Sequence, residues 1–148
     1  MILQMPHVLG DVNSEGAATR ASRLSGMASG ILVYDADCGF CTTSVVWLAK
    51  RRTFEPLAWQ FIDDLARYDL DYEKVSTAAH WIEDDRRVAS GSDAIGSALI
   101  SRGGIWGWAG RFIRSRPVRP VARIAYRLVA TNRHRMPGGT AACKMPKQ

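Results

Sequence analysis

After Asp93 the sequence has no aspartate or glutamate: all fourteen acidic residues lie at or before that position, while residues 94–148 carry eleven arginines and lysines. The formal net charge of +6 is therefore concentrated at one end of the chain. A one-sided basic segment suits an anionic partner, and it also suits a helix face that is simply solvated. No run of about eighteen uncharged apolar residues occurs, so no membrane-spanning helix is expected. The first residues lack the basic start, apolar run and cleavage site of a secretory signal, which makes the cytoplasm the expected compartment. Cysteine is scarce, with three in 148 residues, too few for a disulfide-stapled scaffold. In a reducing compartment, two cysteines three residues apart read as redox or metal chemistry. The length suits one domain with a hydrophobic core of its own.

Residues 1–29 are rich in Gly, Ser, Ala and Asn without apolar periodicity and read as a disordered leader. The domain is expected over residues 30–148, ending in a basic helical extension and a tail. Ile31-Leu32-Val33-Tyr34 reads as a buried strand. A helix is expected from about Cys41 to Arg52, with Lys50, Arg51 and Arg52 complementing its C-terminal dipole. Pro56 breaks the chain, and Leu57 to Ile62 reads as a second strand, parallel to the first. Residues 63–76 suit one or two short helices. His80-Trp81-Ile82-Glu83 and Arg87-Val88-Ala89-Ser90, around a polar turn, suit a hairpin. Gly91-Ser92-Asp93 offers a cap to a helix reaching about Ser101, which Gly103-Gly104 ends. Ile105 to Arg114 reads as a further helix. Pro120 suits the first turn of a last one, in which Val121, Ile124, Ala125, Leu128 and Val129 share one face and Arg119, Arg123 and Arg127 the other. Ordinary inward packing is expected of the apolar face, and most of the five tryptophans are expected to be buried anchors.

Cys38 and Cys41 fall where a strand ends and a helix begins. Unpaired backbone N–H groups and the dipole at a helix start stabilise a thiolate, lowering its pKa from about 8.5 toward 7. The thiolate is the species that attacks a disulfide. Cys38, at the expected exposed tip, is the candidate nucleophile; Cys41, one turn in and expected to be the more buried, is the candidate resolving thiol. Asp35 and Asp37 oppose thiolate formation by like charge. Asp35 is a candidate proton relay to Cys41, or else a cap of the loop. Gly39 and Phe40 between the cysteines would shape the substrate surface.

The segment Tyr34-Asp35-Ala36-Asp37-Cys38-Gly39-Phe40-Cys41 resembles the opening motif of the DCC family of predicted thiol-disulfide oxidoreductases, named for an Asp-x-x-Cys-x-x-Cys pattern. Ser90-Gly91-Ser92-Asp93-Ala94 resembles it too, as does Tyr126-Arg127-Leu128-Val129-Ala130 through Asn132-Arg133 with Cys143 downstream. The similarity spans roughly residues 31–146. It implies an α/β, thioredoxin- or glutaredoxin-like fold: a four-stranded mixed sheet with helices on both faces, here followed by extra C-terminal helices. It implies exchange with a disulfide-containing protein or a low-molecular-weight thiol, no cofactor or metal, and an electron donor that the sequence does not name. By analogy with the glutathione loop of glutaredoxins, Ser90, Gly91, Ser92 and Asp93 would contact substrate. The sequence departs from the pattern at Ala36, where glycine is usual. Residues 75–80 also lack the proline that thioredoxins place before the third strand.

Two other functions compete. A non-catalytic basic binding module on the same scaffold would use Arg119, Arg123 and Arg127. A small zinc-binding protein would need Cys38 and Cys41 joined by ligands drawn from Cys143, His7, His80, His134 and the acids, none of which forms a second close pair with a cysteine. Nucleic acid is disfavoured because Trp106 and Trp108 precede the arginines and do not alternate with them. Cys143, beyond Gly138-Gly139, is expected in a flexible tail, more readily a free or buried thiol than a partner of Cys38.

Overall fold

Alternation along two strands sets the architecture. In β1 (Ile31–Tyr34), Leu32 points to one side of the sheet and Val33 to the other. Trp81 and Ile82 do the same in β3 (His80–Ile82). The computed structural model describes residues 30–51 and 53–143. The expected leader, Arg52 and the last five residues of the expected tail lie outside the described residues. Strand β2 is Glu55–Ala58, β4 is Val88–Ser90, and the sheet order is β2-β1-β3-β4. β1 pairs parallel with β2 and antiparallel with β3, and β3 pairs antiparallel with β4. This is the expected mixed sheet, with the hairpin where the sequence puts it.

The second strand lies earlier than the expected 57–62. Pro56 sits inside it, tolerated because β2 is an edge strand with one side unpaired. The chain then turns into a 3-10 helix at Trp59–Phe61.

Helix α1 (Gly39–Leu48) crosses from β1 to β2, as a parallel pair requires. Its C-terminal carbonyls at Trp47 and Leu48 accept from Arg102, a residue of a distant helix, and Lys50 and Arg51 follow in a 3-10 turn. Helix α2 is Tyr72–Thr77 and α3 is Ser92–Arg102. Leu32, Val45, Leu48, Phe54, Trp81, Ala94, Ala98 and Leu99 form the core between the sheet and α1 with α3. Val33, Leu70, Val75 and Ile82 form a smaller core on the opposite side, with Trp59, Ile62, Leu65 and Tyr68 against it.

Helix α4 (Gly104–Arg114) folds back on α3. Their contact depends on small residues: a Cβ on Gly110 would stand 2.4 Å from the Gly96 carbonyl oxygen. Helix α5 (Arg119–Asn132) has proline in its first turn, as expected. Its packing reverses the expectation. Val121, Ile124 and Leu128 are more than 60% exposed, while Ala130 is buried. The reason is what anchors the helix. Arg119 and Arg123 both reach Asp93, and the Tyr126 ring lies over Gly91, so the side bearing arginines 119 and 123 turns toward the protein. In α4, Trp108 and Phe112 likewise face outward. Of the tryptophans, Trp81 is a buried anchor, whereas Trp47, Trp106 and Trp108 are exposed.

Candidate active site

Cys38 is the N-cap of α1, with extended backbone, and Cys41 stands in the first turn. The loop before them is an Asx turn: the Asp37 amide donates to Asp35 Oδ1 at 3.0 Å. Gln60 completes it, donating from Nε2 to the same oxygen at 2.7 Å and accepting from the Ala36 amide at 3.2 Å. Ala36 does not take a positive φ, so alanine sits there without the strain that would demand glycine. Asp35 is therefore a loop cap, and its charge also acts on Cys41.

The sulfurs differ from expectation in burial and in bonding. Cys38 is fully buried, and Cys41 is the half-buried one. Cys38 is joined by a disulfide to Cys143, 105 residues later, with Cα atoms 4.5 Å apart. Cys143 thus lies in a fixed, buried 3-10 turn, Ala141–Cys143, and not in a loose tail. The cover over Cys38 comes from the residues that lead to that turn. Thr140 Oγ1 donates to the Asp37 carbonyl at 3.2 Å and accepts from the Gly39 amide at 3.4 Å. The chain passes so close that a Cβ on Gly39 would stand 2.3 Å from the Gly138 carbonyl oxygen. Phe40 is half-buried beside it.

Arg133 ties these pieces together. It is 5% exposed, just past the end of α5. Its Nε donates to the Cys143 carbonyl at 2.7 Å, Nη2 to the Ser76 carbonyl at 3.0 Å, and Nη1 to Cys41 Sγ at 3.6 Å. Among the described residues no carboxylate pairs with this guanidinium. A buried cation without a counterion is costly, and the Cys41 sulfur is the group beside it able to supply a negative charge. Burial pushes the Cys41 thiol above the ordinary cysteine value; the Arg133 charge pulls it down, the Asp35 charge pushes it up, and the Arg133 hydrogen bond pulls down again. The net is upward, so Cys41 is held as a thiol near neutrality with a cation ready for its thiolate.

Ser90, Gly91, Ser92 and Asp93 lie together at the start of α3, along a groove of about 860 Å³ also lined by Tyr126, Arg119, Arg123 and Arg127. No cysteine lines that groove. Several of these groups are already engaged. Ser90 Oγ lies 2.8 Å from His80 Nδ1, whose other ring nitrogen donates to the Lys74 carbonyl at 3.0 Å. His80 is thus a structural histidine, which burial holds below the usual imidazole range against the upward pull of its Lys74 hydrogen bond. The Asp93 carboxylate takes Arg119 at 2.9 Å and Arg123 at 3.0 Å, so two of the three arginines of the expected basic stripe share one counterion. Tyr126 lines the groove and its hydroxyl accepts from the Ala79 amide at 3.0 Å; burial pushes its phenol up, against the pull of the Ala79 hydrogen bond, with a smaller upward push from the Cys41 charge.

Among the described residues, no three histidine, cysteine or acidic side chains come together as a metal site. No helix among them is long and apolar enough to cross a membrane. Gln60 and Arg133 were not singled out from the sequence. Arg133 stood inside a recognised segment, but nothing near it in the chain marks a thiol partner 92 residues away.

Comparison with known proteins adds one finding. A family model described as DCC1-like thiol-disulfide oxidoreductase matches residues 32–139, which includes both cysteines of the CxxC pair and ends before Cys143. No curated protein matches the chain, and no solved structure does. With the cysteine pair at a helix start beside a four-stranded mixed sheet, and a family match over most of its length, the chain belongs to the DCC1-like thiol-disulfide oxidoreductase family.

Proposed function

We propose that the protein is an enzyme that exchanges disulfides with a protein or low-molecular-weight thiol substrate, using Cys38 as the attacking sulfur and Cys41 as the resolving one. The observation that carries this reading is the buried Arg133, which has no carboxylate partner among the described residues and donates to Cys41 one helical turn from Cys38. In the reduced protein Cys38 stands at the tip of α1, where helix amides favour a thiolate. Its attack on a substrate disulfide forms a mixed disulfide and releases one substrate thiolate, which takes up a proton. Cys41, losing its proton as Arg133 stabilises the charge, attacks Cys38 Sγ. The second substrate thiolate leaves, and a Cys38–Cys41 disulfide remains. A dithiol reductant then returns two electrons. Gly39 and Phe40 form the surface that the substrate meets, and Asp35 with Gln60 holds the loop. The groove along Ser90, Gly91, Ser92 and Asp93 would accommodate the part of the substrate remote from the sulfur.

The test is turnover of an aromatic disulfide or of insulin with a dithiol reductant. Cys38→Ser should abolish it while leaving the fold intact by circular dichroism. Full activity in Cys38→Ser overturns the proposal.

A further inference from the structure

We infer that Cys143 is a third exchanging cysteine: Cys38 passes its disulfide between Cys41 and Cys143, and the bonded Cys143 closes the C-terminal segment over the site. This rests on the exchange reading above, and it extends that reading to a residue beyond the reach of the family match.

Three observations support it. Cys38 carries its bond to Cys143 while Cys41, three positions along the same helix, remains a thiol. The helix turn brings residues so spaced onto one side, within reach of each other. Arg133 holds both competing residues, one through the Cys143 carbonyl and one through the Cys41 sulfur. And the segment brought down by Cys143 is the one that buries Cys38, through the two bonds of Thr140 and the passage of Gly138 over Gly39.

The chemistry balances without an added oxidant. In one step Cys143 thiolate attacks Cys38 Sγ in the mixed disulfide; the Cys38–Cys143 bond forms, the bond to substrate breaks, and the substrate leaves as its thiolate. In the other, Cys41 thiolate attacks Cys38 Sγ in the closed form; the Cys38–Cys41 bond forms and Cys143 leaves as thiolate and is protonated. The second step is an isomerisation that changes no oxidation state. It releases the covering segment from its covalent hold, and the closed form is the arrangement in this structure.

The experiment uses the full chain, fully reduced, then mixed with an excess of 5,5′-dithiobis(2-nitrobenzoate) and quenched in acid for intact mass and peptide mapping. Cys41→Ser should release two thiolates per protein and end with Cys38 bonded to Cys143. The double variant Cys41→Ser/Cys143→Ser should release one and retain the aromatic adduct on Cys38. In the oxidised native sequence, mapping should find Cys38 bonded to Cys41 as well as to Cys143. Interchange should quicken about tenfold per pH unit, because the attacking thiolate rises tenfold per unit below its pKa. If Cys41→Ser holds its adduct as long as the double variant does, or if native protein shows one pairing at every pH, Cys143 is not part of the exchange. Loss of turnover in Cys38→Ser would leave the underlying reading standing even then; turnover that survives Cys38→Ser overturns both.

Discussion

Arg133 Nη1 lies 3.6 Å from Cys41 Sγ, and the same guanidinium grips the carbonyl of Cys143. One buried cation thus faces the free sulfur and the backbone of the bonded one. With Cys38 bonded to Cys143, Cys41 is the free thiol, so its alkylation by iodoacetamide, located by peptide mapping, reads its acidity. Removing the cation with Arg133→Met should slow alkylation at pH 8 by about tenfold, since an opposite charge at this range shifts a pKa by roughly one unit or more. Arg133→Lys should restore part of the rate. An unchanged pH profile in Arg133→Met would mean that the guanidinium does not tune this thiol.

Asp35 acts on the same sulfur with the opposite sign. Asp35→Asn should speed Cys41 alkylation by about threefold and move its midpoint down, as removing a like charge favours the thiolate. The asparagine keeps an oxygen to accept from the Asp37 amide, so the loop should survive. A slower rate in this variant would contradict the electrostatic account.

Asp93 makes folding sensitive to acid. Burial pushes its carboxyl up, but the hydrogen bonds and charges of Arg119 and Arg123 outweigh that and hold it below the usual carboxylate range. A group whose folded pKa is depressed contributes stability above its unfolded value, about 3.9, and loses it as pH falls through the folded value. The native protein should therefore lose urea resistance below about pH 4. Asp93→Asn should be weaker by about 2 kcal/mol at pH 7, with a smaller acid slope. Equal urea midpoints for both proteins at pH 7 would refute the role given to the carboxylate.

Tyr126 is the strut between α5 and the turn before β3. Tyr126→Phe leaves the Ala79 amide without its acceptor, at a cost of about 1–2 kcal/mol. Thermal melts of the oxidised protein should show this, and an unchanged midpoint would argue that the hydroxyl is dispensable.

The architecture was legible because it rests on local patterns: alternation in β1 and β3, the polar turn of the hairpin, Gly103-Gly104, Pro120. The cysteine pair was legible by spacing and by what precedes it. Three things were not. The direction α5 faces depends on Asp93 recruiting two arginines across a gap of 26 and 30 residues, which amphipathic periodicity does not encode. The burial order of Cys38 and Cys41 depends on a covering segment a hundred residues away. The end of β2 depends on the edge position of Pro56, a property of the whole sheet.

The covalent ring closed by Cys38 and Cys143 contains β2, β3 and β4 but not β1, which precedes it. Yet β1 is the strand seated between β2 and β3, and those two do not pair with each other. Oxidation therefore encircles the flanks of the sheet and leaves its centre topologically outside. A chain that oxidised too early would have to thread a strand between neighbours already leashed together. The order of events that avoids this is zipping of the sheet first, with the clasp fastened last.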